Sequence, residues 1–590
     1  MAQAFRRTAL DCSSRVAVRT LGDEISWTWG ELRERVDDTA AGLHSLGIGR
    51  GDCVALMLTN RPEFYQCDLA AMMLGATTLS VYQTYAPDQI AYVLADSAAR
   101  VVITERRFLN TVLTALADMP SVEHVVLVDD VDNVDNVGDV GQVDLDQLRE
   151  LGRATSFDVE AAVAALAADT VLTLIYTSGT TGQPKGVELT HANMVAAVAT
   201  ITGRHPLSAG SRVISWLPTA HIAERLAHLY LPISHGLEVT CCPDPRQIGE
   251  YLPAVQPTWF FAVPRVWEKL KSGLEAALAA LPEREGELAR AALAASTEKV
   301  RLEQAGQPVP EQLAADVARA DAAIFAGPRR RIGFGELAQA HVGAAPVAVE
   351  VLEFFHAIGV PLAEVWGMSE TCGVGTFNPP ERIRIGTVGL PETGMELRLA
   401  DDGEILVRGE AVMRGYRNNP SQTAETVVDG WLHTGDIGTI DGDGYVRIVD
   451  RKKELIINMA GKNMSPAFIE ARLKAASPLI GQACCIGDGR PYNTALIVLD
   501  ADLAPVWAAN QGIAGSDLAT LAADERVRKQ VQLGVDAANS QLSRPERIKK
   551  FYLVPGDWQP AGDELTPTMK LRRRPIEAKY RAEIEAMYSH

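Results

Sequence analysis

Residues 176–187 read Tyr176-Thr177-Ser178-Gly179-Thr180-Thr181-Gly182-Gln183-Pro184-Lys185-Gly186-Val187. The apolar run Val171-Leu172-Thr173-Leu174-Ile175 precedes them and reads as a buried strand. Glu188-Leu189-Thr190-His191 follows and leads into a helical pattern at 193–200, so the pattern predicts a loop between a strand and a helix. Four hydroxyl side chains, three glycines and Lys185 crowd into this stretch. Glycine lets backbone N–H groups converge on an anion, and hydroxyls with an ammonium complete the cradle. That is chemistry for a polyphosphate. The Gly-x4-Gly-Lys-Ser/Thr phosphate loop does not fit, because Pro184 precedes Lys185 and Gly186 follows it. A plain Gly/Ser/Thr surface turn is the bland alternative for any short loop, and the full string is far more specific than that.

At 590 residues the chain exceeds a single core, so two or more domains are expected. Hydrophobic content of 47% with 22% charged residues is that of an ordinary globular protein. A net charge of −19 disfavours nonspecific binding to nucleic acid or an anionic membrane, and any anionic ligand must meet a local positive site. The eight cysteines lack metal-ligand spacing; the adjacent pairs Cys241-Cys242 and Cys484-Cys485 lie in apolar runs and read as buried free thiols of a reducing cytosol. No signal peptide and no transmembrane run is evident, so the chain is expected in the cytoplasm, with peripheral contact at the inner face of the membrane left open.

Toward the N-terminus, 16–27 alternates like paired strands around Gly22-Asp23, and Thr28 with Glu31 forms a capping box opening a helix. A strand at 53–58, helix at 61–75, strand at 76–80, helix at 87–97 and strand at 100–103 follow. This alternation predicts an α/β fold with a largely parallel sheet. The repeat Val131-Asp132-Asn133-Val134-Asp135-Asn136 places acids every third residue, where an EF-hand loop needs every second, so it reads as a solvated acidic loop. Residues 270–322 are rich in Ala, Glu, Arg and Leu at near-helical spacing and read as a helical excursion packed on the domain.

Further strings stand in order: 215–225, with His221; Pro257-Thr258-Trp259-Phe260-Phe261-Ala262-Val263-Pro264-Arg265; Gly343-Ala344-Ala345-Pro346; Glu364-Val365-Trp366-Gly367-Met368-Ser369-Glu370-Thr371; Gly403–Gly409 with Met413-Arg414-Gly415-Tyr416; Trp431-Leu432-His433-Thr434-Gly435-Asp436; 444–457, with Arg451 and Lys453; Asn458-Met459-Ala460-Gly461-Lys462; and Leu565-Thr566-Pro567-Thr568-Met569-Lys570. Together with the loop at 176–187 they resemble, over nearly the whole chain, the adenylate-forming superfamily, and within it the long-chain fatty-acid–CoA ligases, with features of the bubblegum-type subgroup.

The resemblance implies a large α/β N-terminal domain, 1–452, of parallel-rich sheets sandwiched with helices plus a smaller barrel-like subdomain. A small mobile α+β domain, 453–590, follows. It also implies roles. Thr177, Ser178, Gly179, Thr180, Thr181, Gly182 and Lys185 cradle ATP phosphates. Gly343, Ala344 and Ala345 form a turn under the adenine. Trp366, where the family usually has Tyr, stacks on that ring beside Gly367. Ser369, where Thr is usual, meets the α-phosphate, and Glu370 holds Mg²⁺. Asp436 and Arg451 serve the ribose, and His221 lines the acyl pocket near the carboxylate. Lys453 is the hinge, and Gly461 borders the passage for the CoA pantetheine. Lys570 is the catalytic lysine, although Met569 replaces the glycine usual before it.

The implied reaction activates a fatty acid with ATP to acyl-AMP, releasing pyrophosphate, and then forms the CoA thioester. No Cys or Ser nucleophile with a partnered base is visible. Two other readings stay open on the sequence: a fatty-acyl-AMP ligase loading a carrier protein, and a catalytically inactive nucleotide-binding homologue. Oligomeric state is not readable.

Overall fold

A computed structural model describes residues 1–117, 119, 121–129, 141–177, 183–459, 462–515, 517–560 and 562–589. An eight-stranded sheet runs, edge to edge, Gly415–Tyr416, Lys185–Thr190, Val171–Thr177, Thr77–Ser80, Cys53–Met57, Ala99–Thr104, His124–Leu127, Gly141–Asp144. From Val171–Thr177 to Gly141–Asp144 every pairing is parallel. The central strands Thr77–Ser80 and Cys53–Met57 are buried at every position, because helices cover both faces. The capping box at Thr28 and Glu31 forms as expected, and the helix Trp29–Ser45 follows it.

One local expectation is corrected. The 176–187 stretch does not lead from a strand directly into a helix. Lys185–Thr190 is itself a strand, antiparallel to Val171–Thr177 with Thr177 opposite Lys185, and the helix His191–Arg204 starts only after it. Gly186 permits this return: a Cβ there would stand 3.0 Å from the Tyr176 ring and 3.2 Å from Arg417. Thr190 then caps the helix by accepting from the Asn193 N–H.

A second sheet orders Arg212–Ser215, Glu238–Cys241, Val16–Thr20 and Ser26–Thr28; a third orders Trp259–Ala262, Gln339–Val342, Leu362–Gly367, Gly375–Phe377 and Leu390–Pro391. The antiparallel sheet of Met395–Leu399, Glu404–Gly409, Trp431–Ile440, Val427–Val428 and Val446–Arg451 is the half-barrel subdomain. The helical excursion comprises Pro264–Ala279, Glu283–Gln304 and Glu311–Ala320. Its long middle helix packs on the body through Ala289, Ser296 and Val300, and Arg301 pairs with Glu353 at 2.7 Å. All eight cysteines are free thiols, and all but Cys12 are buried.

One hydrophobic core runs from Met1 to Val446, and a separate one is built from Ile456 to Leu553 around the strands Ile480–Ile486, Asn493–Leu499 and Ile548–Leu553. Ion pairs tie the two bodies: Arg265 to Asp500, Lys269 to Asp502 at 2.6 Å, and Arg472 to Glu350. No helix among the described residues is long and apolar enough to cross a membrane. The acidic repeat at 131–136 lies outside the described residues.

Candidate active site

Lys185 opens the return strand, and its ammonium lies 5.1 Å from the centre of the Tyr416 ring. Tyr416 is held there by pairing with Val187 across the sheet edge. Its hydroxyl donates to Glu370 Oε1 over 2.8 Å. Burial and the Glu370 carboxylate push the phenol's ionisation far above its ordinary range, so it stays a donor. Glu370 itself sits in the tight turn Ser369–Thr371 that ends the strand Leu362–Gly367, and its carbonyl accepts from the Met413 N–H at 2.7 Å. Ser369 is half-buried beside it. One tyrosine thus bridges a cation and an anion supplied by separate motifs.

The Trp366 indole N–H donates to Asp436 Oδ2 over 2.9 Å, and Arg451 pairs with Asp436 Oδ1 at 2.8 Å. Asp436 and Arg451 face each other across the half-barrel strands, so register alone brings them together. Gly375 makes room for the ring, since a Cβ there would lie 2.7 Å from Trp366, and Gly367 lets the Gly373 backbone approach, since a Cβ there would lie 2.2 Å from the Gly373 carbonyl oxygen. Behind it, the strand Gln339–Val342 ends in Gly343, where a Cβ would be 3.0 Å from Val365 and 3.2 Å from Phe261. Ala344 then turns the chain at φ +67°, and Ala345 follows it, exposed.

The small domain contributes Lys570. The Thr566 hydroxyl accepts the Lys570 N–H at 3.0 Å, and Lys570 O accepts the Thr566 N–H at 2.8 Å, closing a tight loop. Met569 takes φ +63°, the left-handed region that favours glycine, which explains in backbone terms why glycine is usual there. The Lys570 side chain is reached by solvent while protein groups gather around its ammonium. Desolvation and then Arg451 hold its pKa below the ordinary lysine value, while Asp436, Glu454 and Glu370 act in the opposite sense. His221 feels the same ammonium: burial first and Lys570 second lower its pKa to about 4. The imidazole is therefore neutral. Its Nδ1 accepts the Ala223 N–H at 3.1 Å, which leaves the proton on Nε2.

The structure therefore gathers Lys185, Glu370, Trp366, Asp436, Arg451, His221 and Lys570 from six separate motifs. Thr177 lies half-buried at the end of its strand. Lys453 is exposed in a turn just after Lys452, which is anchored to the body through Asp402 and Glu404. Ser178, Gly179, Thr180, Thr181, Gly182 and Gly461 lie outside the described residues. Tyr416 and Glu364 stand in the quoted strings without an assigned role, and Gly375 was not singled out from sequence. Glu364, two positions before Trp366, is an acid pushed by burial up to about 8. Only the Gly-Tyr pair at 415–416 carried a usable signal.

A family described as AMP-binding enzyme matches residues 5–417, and one described as AMP-binding enzyme C-terminal domain matches residues 453–590. The Mycobacterium tuberculosis protein fadD11, whose name describes a fatty-acid–CoA ligase, is 50% identical over 438 residues, covering 73% of this chain and 76% of its own. The long-chain-fatty-acid–CoA ligase FadD15 of Mycobacterium bovis is 35% identical over 571 residues, covering 95% and 92%. Among solved structures, the anthranilate CoA ligase AuaEII in complex with anthranoyl-AMP superposes with a TM-score of 0.72 at 19% identity, covering 98% and 96%, which shows the shared fold. With both of its parts matched, the chain belongs to the AMP-binding enzyme family, the adenylate-forming ligases.

Proposed function

We propose that the protein is an AMP-forming fatty-acid–CoA ligase for long-chain acids. The observation that carries the reading is the pair of clusters on the large body, Lys185–Tyr416–Glu370 and Trp366–Asp436–Arg451, with the Lys570 ammonium of the small domain within electrostatic reach of Glu370, Asp436, Arg451 and His221.

A carboxylate is a poor acylating agent because its leaving group is oxide. Its oxygen attacks the α-phosphorus of ATP, the bond to the β-phosphate bridge breaks, and pyrophosphate leaves with acyl-AMP formed. An anion thus approaches an anion, and fixed positive groups must offset the repulsion. Lys570 and Lys185 supply that charge from two sides. Asp436 accepts from vicinal ribose hydroxyls, Trp366 offers its face to the adenine, and the His221 Nε2–H donates to the carboxylate. Glu370 suits Mg²⁺: it is a hard oxygen donor, Tyr416 holds one oxygen, and no cluster of three or more metal-ligating side chains exists among the described residues. Single carboxylates with substrate phosphates are the usual Mg²⁺ setting. Bound there, the ion would offset phosphate charge during the transfer. In the second half-reaction the CoA thiol attacks the acyl carbon and AMP leaves. A swing of the small domain about Lys453 withdraws Lys570 and brings Gly461 to the passage.

The test is fatty-acid-dependent ATP–pyrophosphate exchange, followed by AMP release with and without CoA. Exchange with palmitate and faster AMP release with CoA are expected. Exchange without any response to CoA would remove the ligase assignment; no exchange with any fatty acid would remove the activation step as well.

A further inference from the structure

The helix Pro87–Ser97 carries Tyr92 and Asp96, spaced i, i+4 and so on one face. Both reach the stretch that opens at Tyr176. The Tyr92 hydroxyl donates to the Pro184 carbonyl over 3.0 Å, directly before Lys185. The Tyr176 hydroxyl, directly before Thr177, donates to Asp96 Oδ2 over 2.8 Å. One helix face thus grips the chain at Tyr176 and at Pro184, and strand pairing sets Thr177 opposite Lys185 between the two grips.

Asp96 also holds the loop on the other side of Lys185. The Asn418 side-chain amide donates to the Asp96 carbonyl over 2.8 Å and stands 3.2 Å from Asp96 Oδ1. Asn418 lies two residues past Tyr416, whose ring faces the Lys185 ammonium and whose hydroxyl donates to Glu370. Between them, the Arg417 N–H donates to the Gly186 carbonyl over 2.7 Å. Tyr92 therefore fixes the backbone at the root of the lysine, and Asp96 fixes the loop whose ring stands against its tip. Packing alone does not ask for these polar contacts, because phenylalanine would fill the volume of either tyrosine. Tyr176 is buried, and burial with the nearby Asp96 carboxylate keeps its phenol protonated and a donor.

We infer that Tyr92 and Asp96 are positioning residues for the activation half-reaction: through the Pro184 carbonyl, Tyr176 and Asn418 they hold the Lys185 ammonium against Tyr416 and Glu370. The inference rests on the fatty-acid–CoA ligase reading. A lysine is a point charge on a flexible four-carbon stem. It offsets charge developing on a phosphate efficiently only where its place is set before the reaction, and a misplacement far from the chemistry lowers the rate.

The experiment uses Tyr92→Phe and Asn418→Gly in the full-length protein. Both side chains are at least partly exposed, and glycine keeps the φ of +53° that Asn418 takes. Palmitate-dependent ATP–pyrophosphate exchange and thioester formation from supplied acyl-AMP are measured for each. Each variant should lower kcat for exchange about fivefold, the worth of one hydrogen bond, and leave thioester formation at the parental rate, a split that a general loosening of the fold would not give. In a Lys185→Met background, Tyr92→Phe should cost almost nothing more, because its effect runs through the ammonium. Parental exchange in both variants overturns the inference. So does equal loss in the two half-reactions, or a full further loss on top of Lys185→Met. A parent protein that shows no exchange with any fatty acid would instead strike the ligase reading, before any variant is made.

Discussion

Trp366 donates its indole hydrogen to Asp436 over 2.9 Å, so the ring proposed to cover the adenine and the acid proposed to hold the ribose move as one unit. Trp366→Phe keeps an aromatic face but releases the acid to Arg451 alone. The KM for ATP is expected to rise about tenfold, the worth of one charge-assisted hydrogen bond, with kcat changed less. Initial-rate kinetics check this, and an unchanged KM would show that the bond does not prepare the site.

Lys570→Ala should depress ATP–pyrophosphate exchange by about 100-fold or more, yet leave thioester formation from supplied acyl-AMP nearly intact. Equal loss in both halves would defeat the assigned role. The lysine's lowered pKa sets a sign as well. Its charged form is the useful one, so exchange should fall as pH rises through a value below 10.5, and Lys570→Arg should push that limb upward.

Tyr416→Phe preserves the ring beneath Lys185 and removes the hydrogen bond to Glu370. The Mg²⁺ concentration for half-maximal exchange should increase several-fold, and calorimetric binding of Mg²⁺ with a non-hydrolysable ATP analogue should weaken in parallel. An unaltered Mg²⁺ profile would confine Tyr416 to a packing role.

Asp500→Asn combined with Asp502→Asn cuts two ties between the bodies. The exposed Lys269–Asp502 pair contributes about 1 kcal/mol or less and Asp500 is buried, so exchange should drop several-fold and lose part of its salt sensitivity, while thioester formation is spared. Lys453→Pro should do the reverse. If both variants slow the same half-reaction, the two orientations are not separable in this way.

His191, His221 and His341 are lowered to about 3, 4 and 3 by burial first. Each is neutral when folded and takes up a proton near pH 6.5 when unfolded, so their stabilising contribution is present above pH 6.5 and lost as pH falls toward 3 to 4. The urea midpoint should decline on acidification through this window. His341→Phe should flatten that decline, and a slope identical to the parent's would reject the assignment.

The chain's alternating strands and helices were legible because each is set by local periodicity, and the motif strings marked Trp366, Asp436 and Lys570 as site residues. The return strand Lys185–Thr190 was missed because it runs straight into its helix without a turn residue to punctuate it. The bonds Trp366–Asp436 and Tyr416–Glu370 span 70 and 46 positions, and no local pattern announces a partner at that distance. Met569 was noticed only as a departure, and its left-handed backbone supplied the reason.

The pairs that fasten the small body to the large one join charge to charge. When such contacts open, water receives ammonium, guanidinium and carboxylate groups that it hydrates readily. The swing proposed for the small body would therefore open contacts that water accepts readily, and the ionic strength of the surroundings would set how tightly the observed pose is held.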